Sequence, residues 1–87
     1  MYEEIKEQIN QIVDSIYKYD INKVMNLIGC LFNSIDVSLQ KNEFENVNSL
    51  NKVLTMMEEA MNNKDYLLLA DILKFELFPI IPNKYIN

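Results

Sequence analysis

Apolar residues recur three and four positions apart along most of this chain, and that spacing leaves little room for anything but a helical fold. Ile5, Ile9, Ile12, Ile16 and Tyr19 form the first run, with Glu, Gln, Asn and Lys between them. At about 3.6 residues per turn they share one stripe of an amphipathic helix. The spacing predicts a first helix over about residues 2–18, with Glu3, Glu4 and Glu7 in its first turns, where the positive end of the helix dipole favours acids. Lys23 and Asn26 then occupy the next expected apolar positions, so the stripe loses its phase. Asp20 fits as the N-cap of a second helix, because its carboxylate can accept from the free backbone N–H groups that follow.

That second helix is expected over about 21–40. Ile21, Val24, Ile28, Leu31 and Ile35 make its stripe, and Met25, Leu27, Phe32 and Leu39 widen it, which predicts the most buried helix of the chain. Gly29 costs about 1 kcal/mol against Ala inside a helix, so it is read as a close crossing with another helix. Its neighbour Cys30, in the apolar run LIGCLF, is read as a buried, inert thiol. QKNE, residues 40–43, supplies a turn with Asn42 as a cap. A third helix over about 43–62 carries Val47, Leu50, Leu54, Met57 and Met61, flanked by Phe44 and Val53. NNKD, residues 62–65, closes it, and Asp65 or Asn63 caps a fourth helix over about 65–78. The fourth helix should stop before Pro79, since a residue preceding proline is steered away from helical geometry. The expected fold is all-α, an antiparallel four-helix bundle with short loops spanning residues 1–78, then a C-terminal tail, 79–87.

A chain of 87 residues makes one small domain, and one Gly with two Pro argues against a turn-rich β fold. The net charge is −5, Arg and His are absent, and the eight Lys are scattered singly. Nucleic acid and anionic membrane surfaces are therefore disfavoured as partners, since both need a concentrated cationic face. The longest strictly apolar stretch, Tyr66 to Ala70, is far short of the roughly 20 residues of a membrane span. MYEEIKEQ lacks the basic-then-apolar layout of a signal peptide, so a cytoplasmic protein is expected. Without His there is no general base for ordinary acid–base work, no activator for Cys30 and no Glu-x-x-His metal motif. One Gly cannot build a phosphate loop. No enzyme activity, cofactor, metal or small-molecule substrate is expected. Met56, Met57 and Met61 read as core filler, or as an adaptable groove for a partner helix.

The fourth helix carries apolar residues on two sides. Tyr66, Leu69, Ala70, Leu73 and Leu77 gather in one arc; Leu68, Ile72 and Phe75 gather in another, roughly opposite. Asp65 and Glu76 mark one border between the arcs and Asp71 and Lys74 the other, where an i,i+3 pair would meet water. Burying a Leu, Ile or Phe side chain is worth about 1.5–3 kcal/mol, so the second arc needs a cover. The tail, with Ile80, Ile81 and Tyr85, can fold back over it; a second copy of the chain can cover it; or a different protein can. Leu68, Ile72 and Phe75, with Ile80 and Ile81, are the candidate partner-binding residues.

A shift of 45 residues carries Ile5, Ile9, Ile12 and Ile16 onto Leu50, Leu54, Met57 and Met61, and Asp20 onto Asp65. It also carries Val24, Ile28 and Phe32 onto Leu69, Leu73 and Leu77. Two copies of one helical hairpin would produce this pattern. So would any two heptad-like helices joined at an Asp, and the matched residues are hardly ever identical.

The tract EEAMNNKDYLLLADILKFELFPII, residues 58–81, resembles one in small, uncharacterised all-helical proteins of Gram-positive anaerobes. That resemblance implies a bacterial family and no particular activity. In size, acidity and helix content the chain is also similar to flagellar and type III export chaperones, which implies binding of a client helix but transfers no residue. The expected function is a small acidic protein–protein interaction module, self-associating through the fourth helix, with an export chaperone or adaptor as the alternative.

Overall fold

A computed structural model describes residues 2–41, 44 and 46–81, and in it the chain is all-α. Four α-helices follow in order: α1, Tyr2–Tyr17; α2, Ile21–Gln40; α3, Val47–Asn62; and α4, Tyr66–Ile72. The path of α4 continues without a break through a π-helical turn, Leu73–Leu77, and a 3₁₀ turn, Phe78–Ile80. Helix α1 packs chiefly against α2 and α3 against α4, while α4 and its π-turn also lie against α1. One apolar core runs through the molecule. Ile5, Ile9 and Ile12 of α1 and Leu69, Leu73 and Leu77 of the α4 path are all fully buried within it.

The two helix pairs are built on the same turn. In the first, the Tyr19 N–H donates to the Ile16 carbonyl and the Asp20 N–H to the Ser15 carbonyl, both at 3.0 Å. Forty-five residues on, the Lys64 N–H donates to the Met61 carbonyl at 3.0 Å and the Asp65 N–H to the Ala60 carbonyl at 2.8 Å. This paired bonding is the Schellman helix ending, which needs a left-handed residue just past the helix. Tyr19 (φ 58°) and Lys64 (φ 55°) fill that place, where glycine would normally sit. Asp20 and Asp65 then cap the next helix, accepting from the Lys23 and Leu68 N–H groups respectively. Helices α1 and α3 are both 16 residues long, so the 45-residue shift superimposes their ends as well as their stripes.

Several expectations need correction. Tyr19 does not join the first stripe: the left-handed turn ends α1 at Tyr17 and leaves Tyr19 in solvent. Helix α3 starts at Val47 rather than near 43, because Asn46 is its cap and accepts from the Ser49 N–H at 3.0 Å. Asn42 lies outside the described residues, as does Tyr85. Gly29 marks no close crossing, since a Cβ built there meets nothing within 4 Å. Cys30 is exposed, as is Met25. Helix α2 buries a single stripe, Val24, Ile28, Leu31 and Ile35, joined by Ser38, and its opposite side faces water.

Phe78 also departs from expectation. It precedes Pro79 yet stays helical, with φ −53° and ψ −44°. In an α-helix the ring of Pro79 would clash with the Phe75 carbonyl one turn back. The preceding turn is instead widened, and the Phe78 N–H reaches the Leu73 carbonyl five residues away. The wider turn serves the core too. Leu69, Leu73, Leu77 and Ile81 follow one another at steps of four, and all are buried. Such a series drifts around a pure α-helix but holds one face when a π-turn is included. The chain finally leaves helical geometry at Ile81 (φ −71°, ψ 122°), the residue before Pro82.

Candidate functional site

Between α3 and the α4 path lies an open groove of about 250 Å³, lined by Met56, Leu68, Ile72 and Phe75, with Asp71 and Glu76 as its polar lining. Asp65 sets the position of Leu68, because its carboxylate fixes the first turn of α4 through the Leu68 N–H at 3.1 Å. The π-turn carries Phe75, and Glu76 beside it, while turning Leu73 and Leu77 inward. Leu68 remains 45% exposed and Phe75 64%.

The five residues predicted to bind a partner fall into two sets. Leu68 and Phe75 stand open on the groove. Ile72 lines its floor but is only 3% exposed, so the chain's own core already covers it. Ile81 is buried to the same degree, and Ile80 is partly buried against the core. Ile72, Ile80 and Ile81 therefore belong wholly or partly to the chain's own core, whereas Leu68 and Phe75 stay uncovered.

Lys74 does not pair with Asp71. Its ammonium donates to the Tyr17 hydroxyl at 3.3 Å and lies 5.6 Å from the Tyr17 ring centroid and 5.3 Å from that of Phe75. At these distances the cation is attracted by both ring faces. This contact ties the end of α1 to the π-turn and holds Phe75 beside the groove. Farther along the same path, Lys6 sits over the Phe78 ring at 5.2 Å.

The family model described as a domain of unknown function, DUF8042, matches residues 1–83. The chain belongs to that family. Comparison with curated proteins and with solved structures returned no match for it.

Within this DUF8042 chain the groove can seat an apolar side chain but offers little reactive chemistry. Among the described residues, no three His, Cys, Asp or Glu side chains are grouped to hold a metal ion, and no helix is long and apolar enough to cross a membrane. The sequence left Met56 between core filler and an adaptable groove; it sits beside the α3 stripe, and Met57 is fully buried while Met56 is only partly so. The usable signal was the 45-residue shift, which sets Met56 opposite Gln11 and Leu68 opposite Lys23. Both Gln11 and Lys23 are exposed, as that surface position requires.

Proposed function

We propose that this protein is a protein–protein interaction module that docks its partner in the groove of Met56, Leu68 and Phe75. One observation carries the reading. The first helix pair uses the same turn and the same caps with Gln11 and Lys23 at the positions of Met56 and Leu68. The scaffold tolerates polar residues there, so packing within the chain does not call for an apolar groove in the second pair. Exposed apolar surface that the fold does not require is a mark of an interaction site. At about 250 Å³ the groove falls below the roughly 300–1,000 Å³ typical of small-molecule sites, which favours one or two anchoring side chains of a macromolecule. The protein works in the cytoplasm, where the exposed Cys30 thiol stays reduced.

Site-specific photocrosslinking in the native cell tests this. A photoreactive residue at position 68 or 75 should give a discrete adduct, and the same residue at exposed Met25 should not. No adduct from either groove position would end the docking reading.

A further inference from the structure

We infer that the occupant of the groove is an amphipathic helix whose apolar anchors are flanked by Lys or Arg, and not a second copy of this chain. The inference rests on the docking reading above and adds the charge of the partner. The charged residues lining the groove, Asp71 and Glu76, are both acidic. The adjacent cation, Lys74, is turned toward Tyr17. In the first helix pair the position matching Asp71 is the neutral Asn26, so the acid there accompanies the apolar lining rather than the shared scaffold. Two copies, each with a net charge of −5, would bring like charges together at the rim, and like-charge juxtaposition selects against such a pairing. A basic flank meets Asp71 and Glu76 favourably and is steered toward the chain by its overall charge.

The test is a displayed library of helical peptides with Leu, Phe or Met fixed at i, i+3, i+4 and i+7 and randomised flanks. It is selected on the intact protein and counter-selected on Leu68→Lys. That variant has a precedent in Lys23, and its circular dichroism and melting temperature should match those of the parent. The expected result is enrichment of Lys and Arg at the flanks, with the Asp71→Asn, Glu76→Gln double variant binding the selected peptides about three- to tenfold more weakly. Added salt should reduce affinity for the parent more than for the double variant. Neutral or acidic flanks, or no selected peptide, would overturn the inference. So would a sedimenting dimer that Leu68→Lys dissociates, which would assign the groove to a second copy. In either case a crosslink from position 68 or 75 would leave the docking reading standing; only the absence of both removes the two readings together.

Discussion

Asp20 and Asp65 do the same job in the two halves of the chain. Each accepts from the backbone N–H three residues ahead, Lys23 at 3.3 Å and Leu68 at 3.1 Å, and each donates its own N–H to the last turn of the preceding helix. One residue thus ends one helix and begins the next. Removing the carboxylate should leave the turn in place but strip the cap. Asp20→Ala and Asp65→Ala should each destabilise the protein by about 1 kcal/mol in urea denaturation. For a domain of this size that corresponds to roughly 4–8 °C in melting temperature. The Asp65 variant should additionally loosen the groove, seen as faster amide exchange at Leu68; unchanged exchange there would show that the cap does not position it.

The left-handed residues of these turns make an opposite prediction. Left-handed backbone costs a residue with a side chain roughly 1–2 kcal/mol, and glycine escapes that cost while losing some backbone entropy. Tyr19 is largely exposed and Lys64 is in solvent, so neither gives up a core contact on truncation. Tyr19→Gly and Lys64→Gly should therefore each stabilise by about 0.5–1 kcal/mol. A fall in melting temperature for both would mean that the turn geometry has been misread.

Periodicity made the helices legible, and their cap residues were legible where an Asp stood at a break in phase. Asp20 and Asp65 needed only local chemistry, and the stripe Ile5, Ile9, Ile12, Ile16 needed only a helical repeat. The errors have a common source in contacts or conformations that local pattern does not carry. Tyr19 continued the stripe by spacing, but no glycine advertised the left-handed ending. At Phe78, the rule for residues before proline gave way to a π-turn stabilised by burial of Leu77 and Ile81. The same rule held one proline later, at Ile81. For the groove, the two-faced pattern pointed to Leu68 and Phe75. Assigning Ile81 to the core instead required knowing how the π-turn rotates the chain, and assigning Ile72 to it required knowing what packs against α4.

Gly29 offers a clean test of the outer side of α2. An interior helical glycine costs roughly 0.5–1 kcal/mol relative to Ala, and the Cβ that Gly29→Ala adds would meet no atom within 4 Å. That variant should raise stability by about that amount. The neighbouring Cys30 should react with a thiol reagent in the folded protein at a rate close to that of the denatured chain, since it is exposed. A strongly protected thiol, together with a destabilised Gly29→Ala variant, would mean that something packs on this side of α2.

Ile72 and Leu68 separate what holds the fold from what is left for a partner. They sit one turn apart on α4 and line the same groove, yet Ile72 is 3% exposed and Leu68 45%. Truncating a buried aliphatic side chain removes its transfer free energy and leaves a cavity, so Ile72→Ala should cost about 2–5 kcal/mol. Leu68→Lys should change stability by no more than about 0.5 kcal/mol, because a surface substitution disturbs little. Its stem can still lie along the groove with the ammonium in water. The two variants should behave in opposite ways in paired measurements: Ile72→Ala should melt early, whereas Leu68→Lys should melt with the parent and lose its crosslinked partner. If Leu68→Lys were instead as destabilised as Ile72→Ala, the groove lining would be part of the chain's own core, and its openness could no longer be read as a docking surface.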